Sequence, residues 1–283
     1  MVPGVLYFVV FQYGALIGNV IAFKDYVPFV GINASAWVGF SNFGRLFADP
    51  SFWHALVNTL SLSALQLVFF FPVPLALALL LHSLVSRRAR TFVQSVLYLP
   101  HFISWVIAVA LFQQLLGSTG VLNGVLGDGT HVVDLMSDPD LFKPMMIVEL
   151  IWKDCGWGTI IFLAALGMVD DQLYEASALD GAGPWRRLWH VTLPSLRPVI
   201  VLLLIMRLGD IFNVGFDQVL NQRSSFGPQV SEVLDTFVYY HGVSQGDWSL
   251  GAAAGIFKGL IGLLLVLGAN KVAHMLGEQG VYQ

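Results

Sequence analysis

Charged residues are scarce in this sequence. Asp, Glu, Lys and Arg together make up 11% of the 283 residues, while hydrophobic residues make up 56% and the mean hydropathy is +0.72. Soluble domains usually carry about 25% charged residues, which keep their surfaces hydrated. The composition therefore excludes an ordinary soluble domain and indicates an integral membrane protein.

Cysteine, nucleotide-binding motifs and basic clusters are also scarce or absent. The single Cys155 excludes an internal disulfide and makes a cysteine-based metal site improbable, so we interpret it as a small apolar residue. The P-loop pattern GxxxxGK[ST] does not occur, so any ATP hydrolysis must be performed by another chain. The net charge is −4, and the only basic pairs are Arg87-Arg88 and Arg186-Arg187, which gives no case for nucleic-acid binding.

Long apolar runs, in contrast, recur along the whole chain. Six of them have the length of a transmembrane helix, namely residues 1–23, 52–82, 92–117, 144–169, 199–220 and 248–276. The first run lacks the basic segment that opens a signal peptide, so we expect it to be a retained span. Pro72 and Pro74 interrupt the second run, and Pro100 is expected to kink the third.

These runs predict an all-α membrane protein of six transmembrane helices, with both termini on the same side. The expected parts are residues 1–51, an N-terminal helix with its outer loop, and residues 52–283, a five-helix core. Residues 24–51, 118–143 and 221–247 are predicted to be loops on the side opposite the termini.

The distribution of Lys and Arg among the loops predicts the orientation of the chain. Cytoplasmic loops of membrane proteins are enriched in both residues. One set of loops contains seven of them, namely Arg87, Arg88, Arg90, Arg186, Arg187, Arg197 and Lys271, and the opposite set contains four, namely Lys24, Arg45, Lys143 and Arg223. The first set, and with it both termini, is expected to be cytoplasmic.

Residues 170–198 are a polar interruption between apolar runs that has helix-forming chemistry of its own. Asp170 and Asp171 place negative charge where the N-terminus of a helix favours it, and residues 172–179 are mostly good helix formers. A first helix is therefore predicted here.

A second helix is predicted after a glycine turn. Asp180 and Gly181 supply a tight turn with a permissive backbone, Gly183 is expected to cap the next helix, and Pro184 to be its first residue. Residues 192–194 are expected to end it at a proline. The segment is thus interpreted as a helix-turn-helix outside the membrane.

The stretch from Glu175 to Ala182, followed at fixed spacing by Leu193, Pro194 and Pro198, resembles the EAA loop in permease subunits of ATP-binding-cassette importers. Six of its residues are the candidates for coupling to the ATPase: Glu175, Ala176, Asp180, Gly181, Ala182 and Pro194. Ser177 and Leu188 depart from the commonest residues of that loop, alanine and phenylalanine. In that family the loop is a coupling helix that docks into a cleft on the ATPase, so the resemblance implies an ATPase-coupling role for the six residues. The alternative is an ordinary amphipathic cytoplasmic hairpin.

Further segments are similar to the branch of this family that imports oligo- and polysaccharides, which includes aldouronate, rhamnogalacturonan and alginate importers. They are residues 22–26, 98–105, 151–154, 156–158 and 213–216. The resemblance implies a type I importer permease in the bacterial cytoplasmic (inner) membrane, with a core of five spans and one N-terminal span. It also implies a basic extension ahead of Met1.

The partners are implied by the same resemblance. They are a second homologous permease, two ATPase subunits, a periplasmic or extracellular solute-binding protein and the oligosaccharide substrate. ATP and Mg are expected on the ATPase, and no cofactor is expected on this chain.

Ionisable residues inside the predicted spans mark a candidate pathway. Each one costs about 2.5 to 3.5 kcal/mol at the bilayer centre, so it should face the bundle interior, a water-filled route or another charge. They are Glu149, Lys153, Asp154, Arg207, Asp210, Asp217 and Lys258. The alternative is that the cations only neutralise the carboxylates between packed helices.

Helical spacing predicts two polar faces. On the fourth span Glu149, Lys153 and Trp157 follow i, i+4 and i+8, and Trp152 and Asp154 lie at the edges of that face. On the fifth span Arg207, Asp210, Asn213 and Asp217 share one face, and Ser104 of the third span completes the predicted pathway. Carboxylates and amides bond to sugar hydroxyls and an indole stacks on a pyranose, so these faces suit a sugar.

The expected function is that of a permease subunit, not an enzyme, which passes an oligosaccharide inward. Lys153, Arg207 and Lys258 favour an anionic, uronate-containing (alginate-like) substrate, although the carboxylates at the same depth favour a neutral one. An ion-coupled secondary sugar transporter is the alternative, since Asp154 and Asp210 would serve as coupling carboxylates. An intramembrane enzyme is disfavoured because the histidines have no recognisable partner motif.

Overall fold

The computed structural model describes residues 2–126 and 134–275, which are almost entirely helical. In three long segments, residues 2–23, 50–82 and 184–209, turns of α, π and 3-10 type follow one another without a break, and each segment has one helix label. In chain order the elements are α1 (Val2–Phe23), β1 (Lys24–Asp25), α2 (Gly31–Ala34), β2 (Ala36–Trp37), α3 (Ser41–Ala48), α4 (Pro50–His82), α5 (Arg87–Tyr98), α6 (Trp105–Leu116), α7 (Val121–Leu126), α8 (Phe142–Leu166), α9 (Asp171–Leu179), α10 (Pro184–Gly209), α11 (Phe216–Phe226), α12 (Pro228–Ser231), α13 (Leu234–Phe237) and α14 (Trp248–Met275). The predicted all-α class is confirmed.

Five segments of the described chain are long and apolar enough to cross a membrane: α1, α4, α10, α14 and Trp105–Val125, which contains α6. The predicted span at residues 144–169 corresponds to α8, which has 25 residues but carries Lys143, Glu149, Lys153 and Asp154. Residues 1 and 276, the outer ends of the first and last predicted spans, lie outside the described residues, as do residues 127–133.

The predicted third span is divided rather than kinked. After α5 the chain makes a 3-10 turn, Leu99–Phe102, and then runs extended through Ile103 and Ser104 before α6 begins. Pro100 has no N–H to continue an α-helix, and Ser104 starts a new one by accepting a hydrogen bond from the Ile107 N–H at 3.4 Å. The break places the residues of the 3-10 turn against α8.

The predicted fifth span differs at both ends. Helix α10 does not end at Pro194, because a π turn precedes the proline and continues the helix. In this turn the Leu193 N–H donates to the Leu188 carbonyl. Pro194 then lies in the first turn of the next α segment, where a missing N–H matters little. At the other end, residues 210–215 leave the helix, and Gly215, with φ of +103°, precedes α11. Asp217 therefore lies on α11, and not on the helix that carries Arg207.

Two predicted outer loops have regular structure. Residues 24–51 contain the antiparallel pair β1 and β2, with Lys24 opposite Trp37, and helix α3. Buried Asn42 of α3 donates hydrogen bonds at 2.9 Å to the carbonyls of Ala22 and Lys24. Residues 221–247 are mostly helical, because they complete α11 and form α12, α13 and the π turn Val238–Ser244.

Helix α4 connects three clusters of buried apolar side chains along the molecule. Phe52 packs with α14 and α13, Leu62 packs with α8 and α11, and Leu81 packs with the later turns of α8 and with α10. Helix α1, in contrast, exposes its large apolar side chains from Val2 to Ile17, and only its last turns pack against the core. An exposed apolar helix of this length is expected to contact lipid.

Helices α5 and α8 approach closely at Gly156, where the position of an added Cβ lies 2.1 Å from the Leu97 carbonyl oxygen. We expect Gly156→Ala to destabilise the fold by about 1–3 kcal/mol, because the two backbones must separate. The change is measured as a lower thermal midpoint of the purified protein. Gly255→Ala on α14 is the matched control, because outside its own helix backbone no atom of the described residues lies within 4 Å of its added Cβ. Equal midpoints for both variants would contradict the prediction.

Candidate functional site

A polar and aromatic cluster lies where the 3-10 turn after α5 meets α8. His101 Nδ1 is hydrogen-bonded to Asp154 Oδ1 at 2.8 Å. The His101 ring stacks on Trp157, with ring centroids 4.6 Å apart and planes within 8°. The side chains of His101 and Asp154 are 31% and 26% exposed, and Trp157 is 50% exposed, so the cluster borders open space.

Behind this cluster lies Lys153, which is nearly buried. Its Nζ donates to the His101 carbonyl at 2.9 Å, lies 3.6 Å from Asp154 Oδ1 and stands over the Trp105 ring at 5.3 Å. The cation thus fixes the backbone of the 3-10 turn and compensates Asp154.

Glu149 lies deeper still, with no exposed surface. Its Oε2 accepts hydrogen bonds from the side-chain amides of Gln218, at 2.8 Å, and of Gln222. Steps of four residues rotate a helix by about 40° each, so Trp157 stands about 80° around α8 from Glu149. The predicted single face is therefore a spiral that starts in the core at Glu149 and reaches open space at Trp157.

The other predicted residues on α6 and α8 have packing or capping contacts. Trp152 makes an edge contact with Phe112, with ring centroids 5.4 Å apart. Ser104 is exposed and caps α6.

A second polar group lies at the end of α10. Arg207 donates to the side-chain carbonyl of Gln66, and the Gln66 amide donates to the Val214 carbonyl at 3.1 Å. Asp210 and Asp154 both interact electrostatically with Arg207, which connects this group to the cluster on α8. Asp210 is exposed at the point where the helix opens.

Asn213 connects Asp210 to α14. Its amide donates to Asp210 Oδ1 at 3.1 Å, and its Oδ1 accepts from Lys258 Nζ at 2.6 Å. Lys258 also forms an ion pair with Asp235. The sequence left open the alternative that the cations only neutralise carboxylates between packed helices. This alternative holds for Lys258, although its partner Asp235 lies outside the predicted spans. Asp217 is exposed on α11, and its main-chain carbonyl accepts a hydrogen bond from the Asn221 side chain.

Sequence reasoning missed several residues that complete these groups: Gln66, His101, Gln218, Gln222 and Asp235. The role of each depends on a contact with a residue that is distant in the sequence. Asp235 belongs to a predicted outer loop, and His101 has no partner at a recognisable spacing because Asp154 lies on a different helix.

At the opposite end of α8, both helices of the predicted coupling segment begin as predicted. Asp170 caps α9 by accepting from the Gln172 N–H at 2.9 Å, and Gly183 precedes Pro184, the first residue of α10. The aspartate satisfies an N–H that the helix leaves free.

Helix α9 ends in a Schellman motif at the predicted turn. The Gly181 N–H donates to the Ala178 carbonyl at 3.0 Å, and the Ala182 N–H donates to the Ser177 carbonyl at 2.9 Å. Gly181 has φ of +73°, the left-handed region that favours glycine.

The predicted coupling residues lie on the outside of this segment. Those exposed are Glu175, Ala176, Asp180, Gly181 and Pro194. Ala182 is half-buried, and its carbonyl accepts from Arg187 Nε at 2.8 Å. Leu179 is 91% exposed and Trp185 is 75% exposed, and apolar side chains displayed together in this way are typical of a protein-binding surface.

The family model described as "Binding-protein-dependent transport system inner membrane component" matches residues 69–215, which include α8, the predicted coupling segment and α10. The chain belongs to this family. Family members are permease subunits of ABC transporters rather than enzymes, so the prediction that this permease is not an enzyme is confirmed.

Two curated relatives from Bacillus subtilis strain 168 are similar along the whole permease. Protein LplB is 44% identical over 100% of this chain and 89% of its own length. YteP, the permease protein of a polygalacturonan/rhamnogalacturonan transport system, is 45% identical over 100% of this chain and 88% of its own length. The predicted resemblance to sugar importer permeases is confirmed.

Solved structures of a bacterial alginate ABC transporter share the fold. One, in complex with an alginate pentasaccharide-bound periplasmic protein, matches with a TM-score of 0.89 and 36% identity over 99% of this chain and 94% of that chain. Another, of a transporter that imports the acidic polysaccharide alginate, has a TM-score of 0.88 and 37% identity. These matches argue against the ion-coupled secondary transporter.

Proposed function

We propose that this permease carries an acidic, uronate-containing oligosaccharide across the bacterial inner membrane, from an external binding protein to the cytoplasm. The observation that supports it most directly is the group of polar and aromatic side chains bordering open space: His101, Asp154, Trp157, Asp210 and Asn213. In an apolar bundle such groups are expected to line a hydrophilic route.

The membrane arrangement is part of the proposal. Helix α8 serves as the sixth span, because its charged side chains contact other helices or border the proposed route. Both termini and the coupling segment face the cytoplasm, in agreement with the excess of Lys and Arg on that side. The chain binds no nucleotide, and ATP and Mg belong to two ATPase subunits.

A second permease is proposed to close the route. The exposed side of Trp157 and Asp210 then faces its counterpart across a shared cavity, and the coupling segments of the two permeases dock on the ATPases. ATP binding draws the ATPases together, and each coupling segment transmits this movement to α10 and α8, which switch as rigid bodies between inward-open and outward-open packings.

Acidic substrate chemistry is supported by the names of similar transporters and by two cations that lie close to the exposed groups. Two similar transporters are named for acidic polysaccharides, polygalacturonan/rhamnogalacturonan and alginate. Lys258 is neutralised by Asp235, whereas Lys153 and Arg207 lie behind the exposed groups, where their field reaches a bound anion.

The test compares matched uronate and neutral oligosaccharides in the complete transporter reconstituted with its binding protein. We expect the uronate series to stimulate ATP hydrolysis and uptake more strongly. Equal or greater stimulation by the neutral series would overturn the acidic substrate and leave the sugar-importer assignment standing.

Removal of exposed pathway side chains should lower transport. We expect Trp157→Ala and Asp210→Ala each to reduce uptake about tenfold, because an aromatic contact or a hydrogen-bond acceptor to the sugar is lost. Uptake into vesicles at limiting substrate measures the effect, and co-purification of the ATPase shows that docking is intact. Trp53→Ala, which removes an exposed indole on α4, is the control. Wild-type uptake by both pathway variants would contradict the assignment.

A further inference from the structure

His101 is held in a fixed orientation by three separate contacts. Lys153 Nζ bonds to its carbonyl at 2.9 Å, Asp154 bonds to its Nδ1 at 2.8 Å, and the Trp157 indole lies parallel to its ring at 4.6 Å. These contacts fix the backbone, the ring plane and the nitrogen that faces the carboxylate. A side chain oriented in this way loses little conformational freedom when it binds a ligand.

The second ring nitrogen of His101 is left for a ligand. Among residues 2–126 and 134–275, no side chain or carbonyl bonds to Nε2, although the ring borders open space. One face of the Trp157 indole is covered by the His101 ring, so a sugar that approaches the pair on that side meets the imidazole first. His101 therefore shields one face of a residue that the sequence pattern predicts to contact the sugar.

The surrounding charges balance when the imidazole is neutral. Helix α8 contributes Lys153 and Asp154, and α10 and its end contribute Arg207 and Asp210. The last two turns of α5 contain no charged residue and one titratable residue, Tyr98, whose ring lies against Gly156. Two cations thus face two carboxylates, and a proton on His101 gives the cluster one net positive charge.

Two further titratable groups on α8 do not change this balance. Glu149 is bonded to glutamine amides in the core, and Cys155 is buried. Neither residue borders the open space next to the imidazole.

We propose that His101 is a specificity-determining residue that binds a carboxylate of the substrate through Nε2–H in its protonated form, and so makes uptake of acidic sugars dependent on pH. The inference rests on the proposed acidic substrate. Asp154 keeps Nδ1–H as a donor, and protonation turns Nε2 from an acceptor into a second donor. A charge-assisted hydrogen bond to a carboxylate then becomes available. With a neutral imidazole, Nε2 can only accept a hydrogen bond, for example from a sugar hydroxyl.

The experiment measures the initial uptake rate of a uronate oligosaccharide and a matched neutral one by the reconstituted transporter, between about pH 5.5 and pH 8.5. The variants are His101→Gln, which keeps an N–H donor without a charge, and His101→Lys, which keeps a positive charge at every pH tested. His54→Gln is the matched control, because His54 is exposed on α4 away from this cluster. Assembly with the ATPase and the basal rate of ATP hydrolysis verify folding of each variant.

For the wild type and His54→Gln, we expect the ratio of uronate to neutral uptake to fall about tenfold from the acidic to the alkaline end. In His101→Gln the ratio should be low at every pH, and in His101→Lys it should be high at every pH. Use of the ratio cancels the pH dependence of the ATPase, which both substrates share.

Two results would overturn the inference, and they are distinguishable. A wild type that never prefers the uronate would remove the proposed substrate class together with the role of His101. A wild type that prefers the uronate, with the same preference and the same pH profile in His101→Gln, would leave the substrate class standing and remove only the role of His101.

Discussion

Gly181→Val should reduce substrate uptake by about a hundredfold while the permease still inserts and assembles. A β-branched residue is strained at a φ of +73°, so the Schellman turn must open and α9 must change its direction relative to α10. A misplacement of about 1 Å can lower the rate of a process that depends on exact geometry about a hundredfold, and the displaced element is the surface that we propose transmits movement from the ATPase. Substrate-stimulated ATP hydrolysis and uptake in proteoliposomes measure the loss.

The strain comes from the backbone and not from a clash, which allows a precise control. Apart from the chain neighbours of each glycine, no atom of the described residues lies within 4 Å of an added Cβ at Gly181 or Gly183, but Gly183 has an ordinary φ of −70°. Gly183→Val should therefore retain most of the uptake. Full coupling in purified Gly181→Val complex would show that the turn does not transmit the movement.

Glu149→Ala should destabilise the permease by about 3–5 kcal/mol, enough to lower its yield and thermal midpoint sharply. The carboxylate has no exposed surface and accepts hydrogen bonds from Gln218 and Gln222, which join α8 to α11. Removing it leaves a cavity and deprives both Gln218 and Gln222 of their bonds to Glu149, while Gln218 keeps its bond to the Met146 carbonyl at 3.1 Å. The effect is measured as a lower thermal midpoint in detergent, taken from the loss of monodisperse protein on heating.

Glu149→Gln separates this structural role from a role in transport. The amide keeps the shape and an oxygen acceptor for the two glutamines, so we expect a midpoint close to that of the wild type. A Glu149→Ala variant as stable as the wild type would show that the network contributes nothing to stability. A stable Glu149→Gln that loses uptake would return Glu149 to the pathway that the sequence pattern predicts.

Local chemistry was sufficient to predict the coupling segment. Asp170 as a cap, the Asp180-Gly181 turn and Pro184 as the first residue of a helix all depend on backbone geometry within a few residues, which side-chain type determines directly. Local composition also predicted apolar segments of spanning length, five of which occur in the described part of the chain, because the bilayer imposes a length and a polarity on each span.

The ends of the spans could not be predicted in this way. The chemistry of Pro194 predicts the end of a helix, but a π turn carries α10 past it, and the run through residues 210–220 breaks at Gly215. A proline or glycine permits several local outcomes, and the packing of neighbouring helices selects among them.

By itself, the sequence determined through composition and span length that this chain is a membrane protein, because both are properties of consecutive residues. The resemblance of residues 170–198 to the EAA loop then implied the permease of an importer. The tertiary structure alone decided which ionisable residues border open space. It buried Glu149, paired Lys258 with Asp235 and brought His101 into contact with Asp154 and Trp157. The physical reason is that the energy of a charged side chain in an apolar bundle depends on partners from other helices. Helical spacing predicts only which side of its own helix that side chain occupies.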